Sequence, residues 1–383
     1  MQCLISVKRD TRNQNPFHLD KQYEHDAGDL QQSLASLSHG RKMNKESIIN
    51  YDALWESMLK CQRGVSWKPS VKQFKINAPE DILKMSQKLQ DGTWKNSRPR
   101  EIKIMYPKQR DGLSISFRDR IYQRSINDNA LYPEMTKHFI FDNAACQKGK
   151  GTSFARRRIK EHMWNFYCSH GRDGYVLQID IHGYYPNMRH DEVKKCFRRY
   201  LPDDIYQMAC NVLDEQYSGE IGYNPGSQMV QIAGISLLND PDHYIKEELH
   251  IKHYIRYMDD FWILHEDEDY LEKVLECITD KLSIMGFEIN QKKTHIRPLS
   301  KGFTFLGFVY HMTDTGKIIM TLNSENVKHE RKKLYRLVQK CKRGETTKRK
   351  VDECYNSWKS FASEGNSKKL LQRMDKYYKS LWR

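Results

Sequence analysis

A chain of 383 residues, 38% hydrophobic and 30% charged, is long enough for two or three packed subdomains and too apolar for global disorder. Its 64 Lys and Arg against 49 Asp and Glu leave a formal charge of +15, which suits a polyanion because neutralised phosphates release condensed counterions. No apolar run approaches the roughly 20 residues of a membrane span, the start lacks a secretory signal, and nine cysteines without close pairing argue against a disulfide framework or zinc ribbon. A cytoplasmic protein with free thiols and no membrane partner is the expectation.

In chain order, residues 1–42 are polar and weakly periodic and read as an N-terminal extension. Apolar spacing predicts helices at 48–62 and 78–90, the second opening on Pro79-Glu80-Asp81, acidic residues suited to a helix N-terminus. Residues 101–106 alternate like a strand, and Pro107-Lys108-Gln109-Arg110-Asp111-Gly112 reads as a turn. A helix is predicted over 119–131 with a stop near Pro133. A turn-rich stretch follows, whose Lys148-Gly149-Lys150-Gly151 lacks P-loop spacing and reads as a backbone approach to template phosphates, and then a basic helix.

The run at 175–181 has the character of a buried strand, and helices are predicted at 191–200, 203–217 and 229–249, with a Gly/Pro break at 222–226. Residues 254–264 read as a hairpin with Met258-Asp259-Asp260 at its turn. An amphipathic helix at 271–285, a strand at 303–310 and a basic helical tail at 326–383 complete the pattern; Trp358, Tyr377, Tyr378 and Trp382 punctuate the tail.

The acidic residues carry the chemistry. A lone Asp-Asp pair is usually a solvated turn. Here it sits between Tyr254-Ile255-Arg256-Tyr257 and Phe261-Trp262-Ile263-Leu264, apolar flanks that a solvated turn does not need. Asp180 ends an apolar strand, where a carboxylate is costly without a cation or partner. Two Mg²⁺ ions about 4 Å apart, held on rigid strands, are what in-line nucleotidyl transfer requires, and a strand-end Asp facing an Asp-Asp hairpin meets that demand. The expectation is that Asp180, Asp259 and Asp260 converge at the floor of a basic cleft.

Tyr257-Met258-Asp259-Asp260 resembles the YxDD box of reverse transcriptases. Residues 178–186 (QIDIHGYYP) resemble the first carboxylate motif of bacterial retroelement enzymes, and 286–294 (GFEINQKKT) the lysine-bearing motif. Residues 305–308 (FLGF) resemble the primer grip, and 116–128 (SFRDRIYQRSIND) and 146–155 (CQKGKGTSFA) the fingers. The resemblance spans about residues 75–325, to a bacterial retroelement-type reverse transcriptase of the diversity-generating, retron or orphan defence-associated group.

It implies an α+β right-hand polymerase: an extension at 1–42, fingers with N-terminal helices at 43–174, a palm at 175–325 with a helical insert at about 187–222, and a basic helical thumb at 326–383. Asp180, Ile181 (by its carbonyl), Asp259 and Asp260 would be metal ligands, and Lys293, with Lys292 as neighbour, the general acid to pyrophosphate. Tyr185, with Tyr184 as alternative, would be the gate against a ribose 2′-hydroxyl. Lys108 and Arg110 would clamp the triphosphate. Arg118 and Arg120 would be template contacts or partners of Asp119.

Gln228 would end the loop beneath the incoming base. That loop, 222–228, departs from the family pattern: Gln228 replaces a proline, as in diversity-generating enzymes, whose loop is one residue shorter. The implied partners are an RNA template (a noncoding RNA), a DNA or RNA primer and dNTPs; self-association is not readable. The implied role is RNA-directed DNA synthesis in antiphage defence. The alternatives are a diversity-generating enzyme, a catalytically silent RNA-binding scaffold, and an RNA-dependent RNA polymerase, against which Tyr184-Tyr185 speaks.

Overall fold

The computed structural model describes residues 43–104, 110–224 and 226–383; the 1–42 extension and Lys108 lie outside them. The first predicted helix is two: α1 (Glu46–Ile49) and α2 (Tyr51–Cys61) part at Asn50, which leaves helical geometry at ψ 161° and caps α2 by accepting from the Ala53 N–H. A short α3 (Pro69–Ile76), not anticipated, precedes α4 (Ala78–Gln90), which has the predicted limits.

The expected turn at 107–112 is partly strand. β1 (Arg100–Ile104) pairs with β2 (Arg110–Ser114), Ile104 opposite Arg110. After α5 (Phe117–Ile126) the helix does not stop at Pro133. It runs through a π turn at Asn127–Leu131 into α6 (Tyr132–Thr136), where Pro133 occupies the first turn, a position proline tolerates. The basic helix α7 is Thr152–His170.

The central sheet is antiparallel with order β4-β5-β3-β6, built from β3 (Tyr175–Asp180), β4 (His253–Tyr257), β5 (Asp260–His265) and β6 (His295–Pro298). Cross-strand partners share a face, so Val176, Ile255, Trp262 and Leu264 line one side and pack into a cluster with Ile159, Met163 and Phe166 of α7. Leu177, Ile179, Phe261 and Ile263 fill the other side, also buried. Burial on both faces explains why β3 and β5 read as unbroken apolar runs. β6, a half-exposed edge strand ending in a proline, carried no such signal.

Two helices, α8 (His190–Tyr200) and α9 (Asp203–Gln216), form the insert after β3. The predicted long helix at 229–249 divides into α10 (Gln228–Leu237), α11 (Asn239–His243) and a π turn at Tyr244–Glu248; α12 (Glu268–Ile284) then lies against β3 and β6. The strand expected at 303–310 is a hairpin, β7 (Phe303–Phe305) and β8 (Phe308–Met312), because Leu306 and Gly307 both take positive φ, 46° and 84°, the geometry of a two-residue reverse turn. An unanticipated β9 (Ile318–Leu322) completes that sheet.

The tail forms α13 (Ser324–Lys342), α14 (Lys348–Ser363) and α15 (Lys368–Ser380). Its aromatics turn inward: Trp358 is buried and donates to Asn326, and the Tyr378 hydroxyl donates to Asp352. The eight described cysteines are free thiols, and no described helix is long and apolar enough to cross a membrane.

Candidate active site

Strand register assembles the acidic centre. Asp180, last in β3, lies directly opposite Asp260, first in β5. Tyr257 also opposes Asp260, which leaves Met258 and Asp259 as a two-residue turn between β4 and β5. Met258 takes φ 58°, uncommon for a residue with a side chain, so this turn must be held by its surroundings.

Arg256 holds it. Its guanidinium is fully buried and donates from Nη1 to the Met258 carbonyl at 2.7 Å and from Nη2 to the Ile235 carbonyl at 3.0 Å. Nε and Nη2 also grip Asp242 of α11 at 2.7 and 2.5 Å, and the Tyr254 hydroxyl donates to the same carboxylate at 2.6 Å. On the edge of β4, the Arg256 N–H donates to the Asp142 carbonyl and the Ala144 N–H donates to the Arg256 carbonyl.

The pocket's electrostatics are those of crowded negative charge. Burial, then the charges of Asp259 and Asp180, push the Asp260 carboxyl up to about 7. Asp259 is raised too, by burial first and then by the Asp180 charge. The facing cation is Lys293, whose Nζ sits 2.7 Å from Asp180 Oδ1, and that bond raises the lysine's own affinity for its proton. Asn290 Nδ2 donates to Asp180 Oδ2 at 3.0 Å. A tight turn, with the Lys293 and Thr294 N–H groups donating to the Asn290 carbonyl, fixes this arrangement; Lys292 and Lys293 are both exposed, and it is the Lys293 ammonium that reaches Asp180.

These donors fit a hard divalent cation in kind, since all are carboxylate oxygens carrying excess charge. They are not closed around a point: among the described residues no three acidic, His or Cys side chains form a ready metal cage. Lys293 and Asn290 engage both Asp180 oxygens, so the expected convergence is realised in strand position and charge, not in side-chain closure. Ile181 pairs with Ile289 through bonds on either side of it, from the His182 N–H to the Glu288 carbonyl and from the Asn290 N–H to the Asp180 carbonyl. That pattern directs the Ile181 carbonyl to the opposite edge, where β5 lies.

The two tyrosines expected at the gate are placed differently. Tyr184 is buried against Phe287, and its hydroxyl donates to the Gly234 carbonyl, so it belongs to the core. Tyr185 is the half-exposed one. Its ring lies so close to Gly234 that a Cβ there would meet it at 3.1–3.3 Å, and its hydroxyl is buried without a partner.

The 222–228 loop is tied to this segment: the Tyr223 N–H donates to the Tyr185 carbonyl and the Gly222 N–H to the Met188 carbonyl. Ser227 caps α10, and Gln228 is its exposed first residue. The backbone of Arg110 is in β2. Asp119 is held by Ser116 and the Ser97 N–H, not by an arginine, while Arg118 stacks over Trp94. In the 148–151 segment, read as a backbone approach to template phosphates, the Lys150 ammonium donates to the Phe141 and Asn143 carbonyls, and burial lowers it to about 8.

Two further residues had no sequence signal. Arg256 read as a strand residue, because nothing in the order of residues ties it to Asp242. Arg156 of α7 lies between the rings of Phe308 and Phe361, 4.8 and 5.1 Å from their centroids. It pairs with Glu364 and donates to the Leu306 carbonyl at 3.2 Å, joining α7 to the β7–β8 turn and to α14.

A sequence model of the family described as reverse transcriptase (RNA-dependent DNA polymerase) matches residues 108–310, a span that contains all three aspartates. No curated protein matches the chain. Among solved structures, apo telomerase from Candida tropicalis aligns at 12% identity and TM-score 0.46, covering 59% of this chain and 48% of that one. Telomerase from Candida albicans in complex with a TWJ fragment of telomeric RNA aligns at 13% identity and TM-score 0.47, covering 75% and 55%. The chain thus spans about half the length of those telomerase chains.

Proposed function

This chain belongs to the reverse transcriptase family, and we propose that it is an RNA-directed DNA polymerase that extends a DNA or RNA primer on an RNA template through Asp180, Asp259 and Asp260. The observation that carries this assignment is the β3–β5 register, which sets Asp180 against Asp260 beside a strained turn bearing Asp259. These carboxylates and the Ile181 carbonyl would hold two Mg²⁺ ions, which supply Lewis acidity to the attacking 3′-hydroxyl and to the pyrophosphate oxygens.

The chain's own residues then have distinct tasks. Tyr185, its ring set against Gly234, crowds the space of a ribose 2′-hydroxyl and favours dNTPs. Lys293, whose ammonium bonds Asp180, would deliver a proton to the leaving pyrophosphate. Lys108 and Arg110 meet the triphosphate from the fingers (43–174), Gln228 lies under the incoming base in the palm (175–325), and the basic helices of the thumb (326–383) follow the duplex. Arg256 is a positioning residue, since it acts through the Met258 carbonyl.

Primer extension on an RNA template with Mg²⁺ tests this. The wild type should incorporate dNTPs and discriminate against rNTPs, Tyr185→Ala should lose the discrimination, and Asp259→Ala with Asp260→Ala should abolish incorporation. Equal incorporation by wild type and the double variant would end the assignment.

The template we propose is a dedicated noncoding RNA, in a retroelement-type enzyme serving antiphage defence. The support is the motif pattern and the departure at Gln228. Sequencing of copurified RNA and its cDNA tests it: one structured RNA supports the proposal, and a template repeat matching a variable gene replaces it with hypermutation.

A further inference from the structure

We propose that residues 63–76 form a docking surface for single-stranded RNA, separate from the acidic centre. The inference rests on the reading that the chain works on RNA, and it concerns where RNA is held, not how it is copied.

Trp67 is 69% exposed and Ile76 is 70% exposed, unusual for side chains of their size on one short segment. The Trp67 ring is not loose: its Nε1 donates to the Gly64 carbonyl at 3.2 Å, and Lys68 Nζ lies 5.9 Å from its centroid. The helix is anchored from its other side, where Val71 and Phe74 are buried and Phe74 meets Phe117 edge-on at 5.2 Å. Lys68, Lys72 and Lys75, spaced by four and three, therefore line one exposed face, with Arg63 just ahead of it.

Charge decides between this surface and its rival. Lys194, Lys195, Arg198 and Arg199 on α8 also look like a phosphate-binding stripe, but each is neutralised by a carboxylate: Asp214, Glu192, Asp203 and Asp240 respectively. No acidic residue occurs between Glu56 and Glu80, and among the described residues Arg63, Lys68, Lys72 and Lys75 have no ion pair. Four cations with no ion pair among the described residues, beside a fixed exposed indole, are what an unpaired strand needs: phosphate contacts along the backbone and a flat surface for one base. A folded protein partner would be expected to meet a broader apolar patch than one ring and one isoleucine.

The test uses the full chain with its cleft saturated by an unlabelled short primed template. Binding of a labelled, unstructured oligouridylate is followed by anisotropy across a salt series. The wild type should bind the probe with the cleft occupied. Substituting Gln at Arg63, Lys68, Lys72 and Lys75 together should reduce the salt slope by about 3, at roughly 0.7 per phosphate contact on a single strand. Trp67→Ala should weaken binding about tenfold and Trp67→Phe should restore it, as stacking on an exposed ring requires.

Incorporation on the short primed template should be unchanged in every variant. The proposal is overturned if the wild type fails to bind the probe, if the variants bind as it does, or if an oligodeoxynucleotide of the same length binds more tightly. It is also overturned if incorporation falls in step with binding, since the segment would then belong to the cleft. Failure of the wild type to incorporate at all would instead remove the catalytic reading, and leave the binding comparison interpretable.

Discussion

Two groups of buried carboxylates flank the same strand, and the chain treats them in opposite ways. Asp242 is fully buried, and Arg256 and Tyr254 donate three bonds to it. Asp142 has Arg158, His162 and Lys246 around it. Burial alone would raise the Asp142 carboxyl, yet His162 and Arg158 together hold it well below the usual range. Asp260, opposite Asp180, and Asp259 in the turn beside it have Lys293 as counter-charge, and both are raised. The first group supports the scaffold, because each charge is matched from within. The second is left with surplus negative charge on rigid strands, which is how a fold keeps a place for a cation it does not supply.

The sharpest way to break this contrast is at the paired end. Arg256→Met leaves the Asp242 charge buried and alone, and should cost about 3–5 kcal/mol, read from the urea midpoint. Adding Asp242→Leu should recover much of that stability but not the incorporation rate, since the Met258 carbonyl still lacks its donor. Full recovery of rate would deny Arg256 its positioning role. At the unpaired end, Lys293→Met should slow single-turnover incorporation by about 10² with little change in stability. An unchanged rate would show the ammonium to be only a placeholder beside Asp180.

Smaller effects distinguish the two groups by pH. The Asp260 carboxyl is raised from 3.8 to about 7, so the folded state binds more protons in that window and loses stability as pH rises through it. Asp260→Asn should therefore stabilise the metal-free protein by about 4 kcal/mol at pH 8, and the gain should vanish below about pH 4. The cluster around Asp142 responds the other way. Burial, then the neighbouring His162 and Lys252, lower His253 from 6.5 to about 3. The unfolded chain binds the extra proton, so stability is fully present above 6.5 and falls as pH drops toward 3, by about 1 kcal/mol per unit. His253→Gln should flatten that acid limb and leave the alkaline side unchanged.

The same contrast explains what could be seen in the sequence. The aspartates stand in strands and a turn whose apolar flanks are adjacent in the chain, so the pattern Tyr257-Met258-Asp259-Asp260 and the strand-end Asp180 were readable. Arg256 was not, because its partner Asp242 comes from α11 and the pairing exists only after packing. Tyr184 and Tyr185 differ by one position, and only the fold buries one in the core and leaves the other half-exposed. The Leu306-Gly307 turn lacks the Asn-Gly or Asp-Gly signature, which made a hairpin read as one strand. The π turns let a helix pass Pro133 that local propensity would have ended.

Calorimetric titration of the metal-free protein with Mn²⁺ at pH 7, repeated in buffers of different ionisation enthalpy, tests the central claim most directly. The wild type should bind with release of protons, mainly from the Asp259–Asp260 pair, and Asp180→Asn and Asp259→Asn should each abolish tight binding. Binding that survives both substitutions, or that releases no protons, would contradict the claim that these carboxylates are held apart from internal partners for a cation.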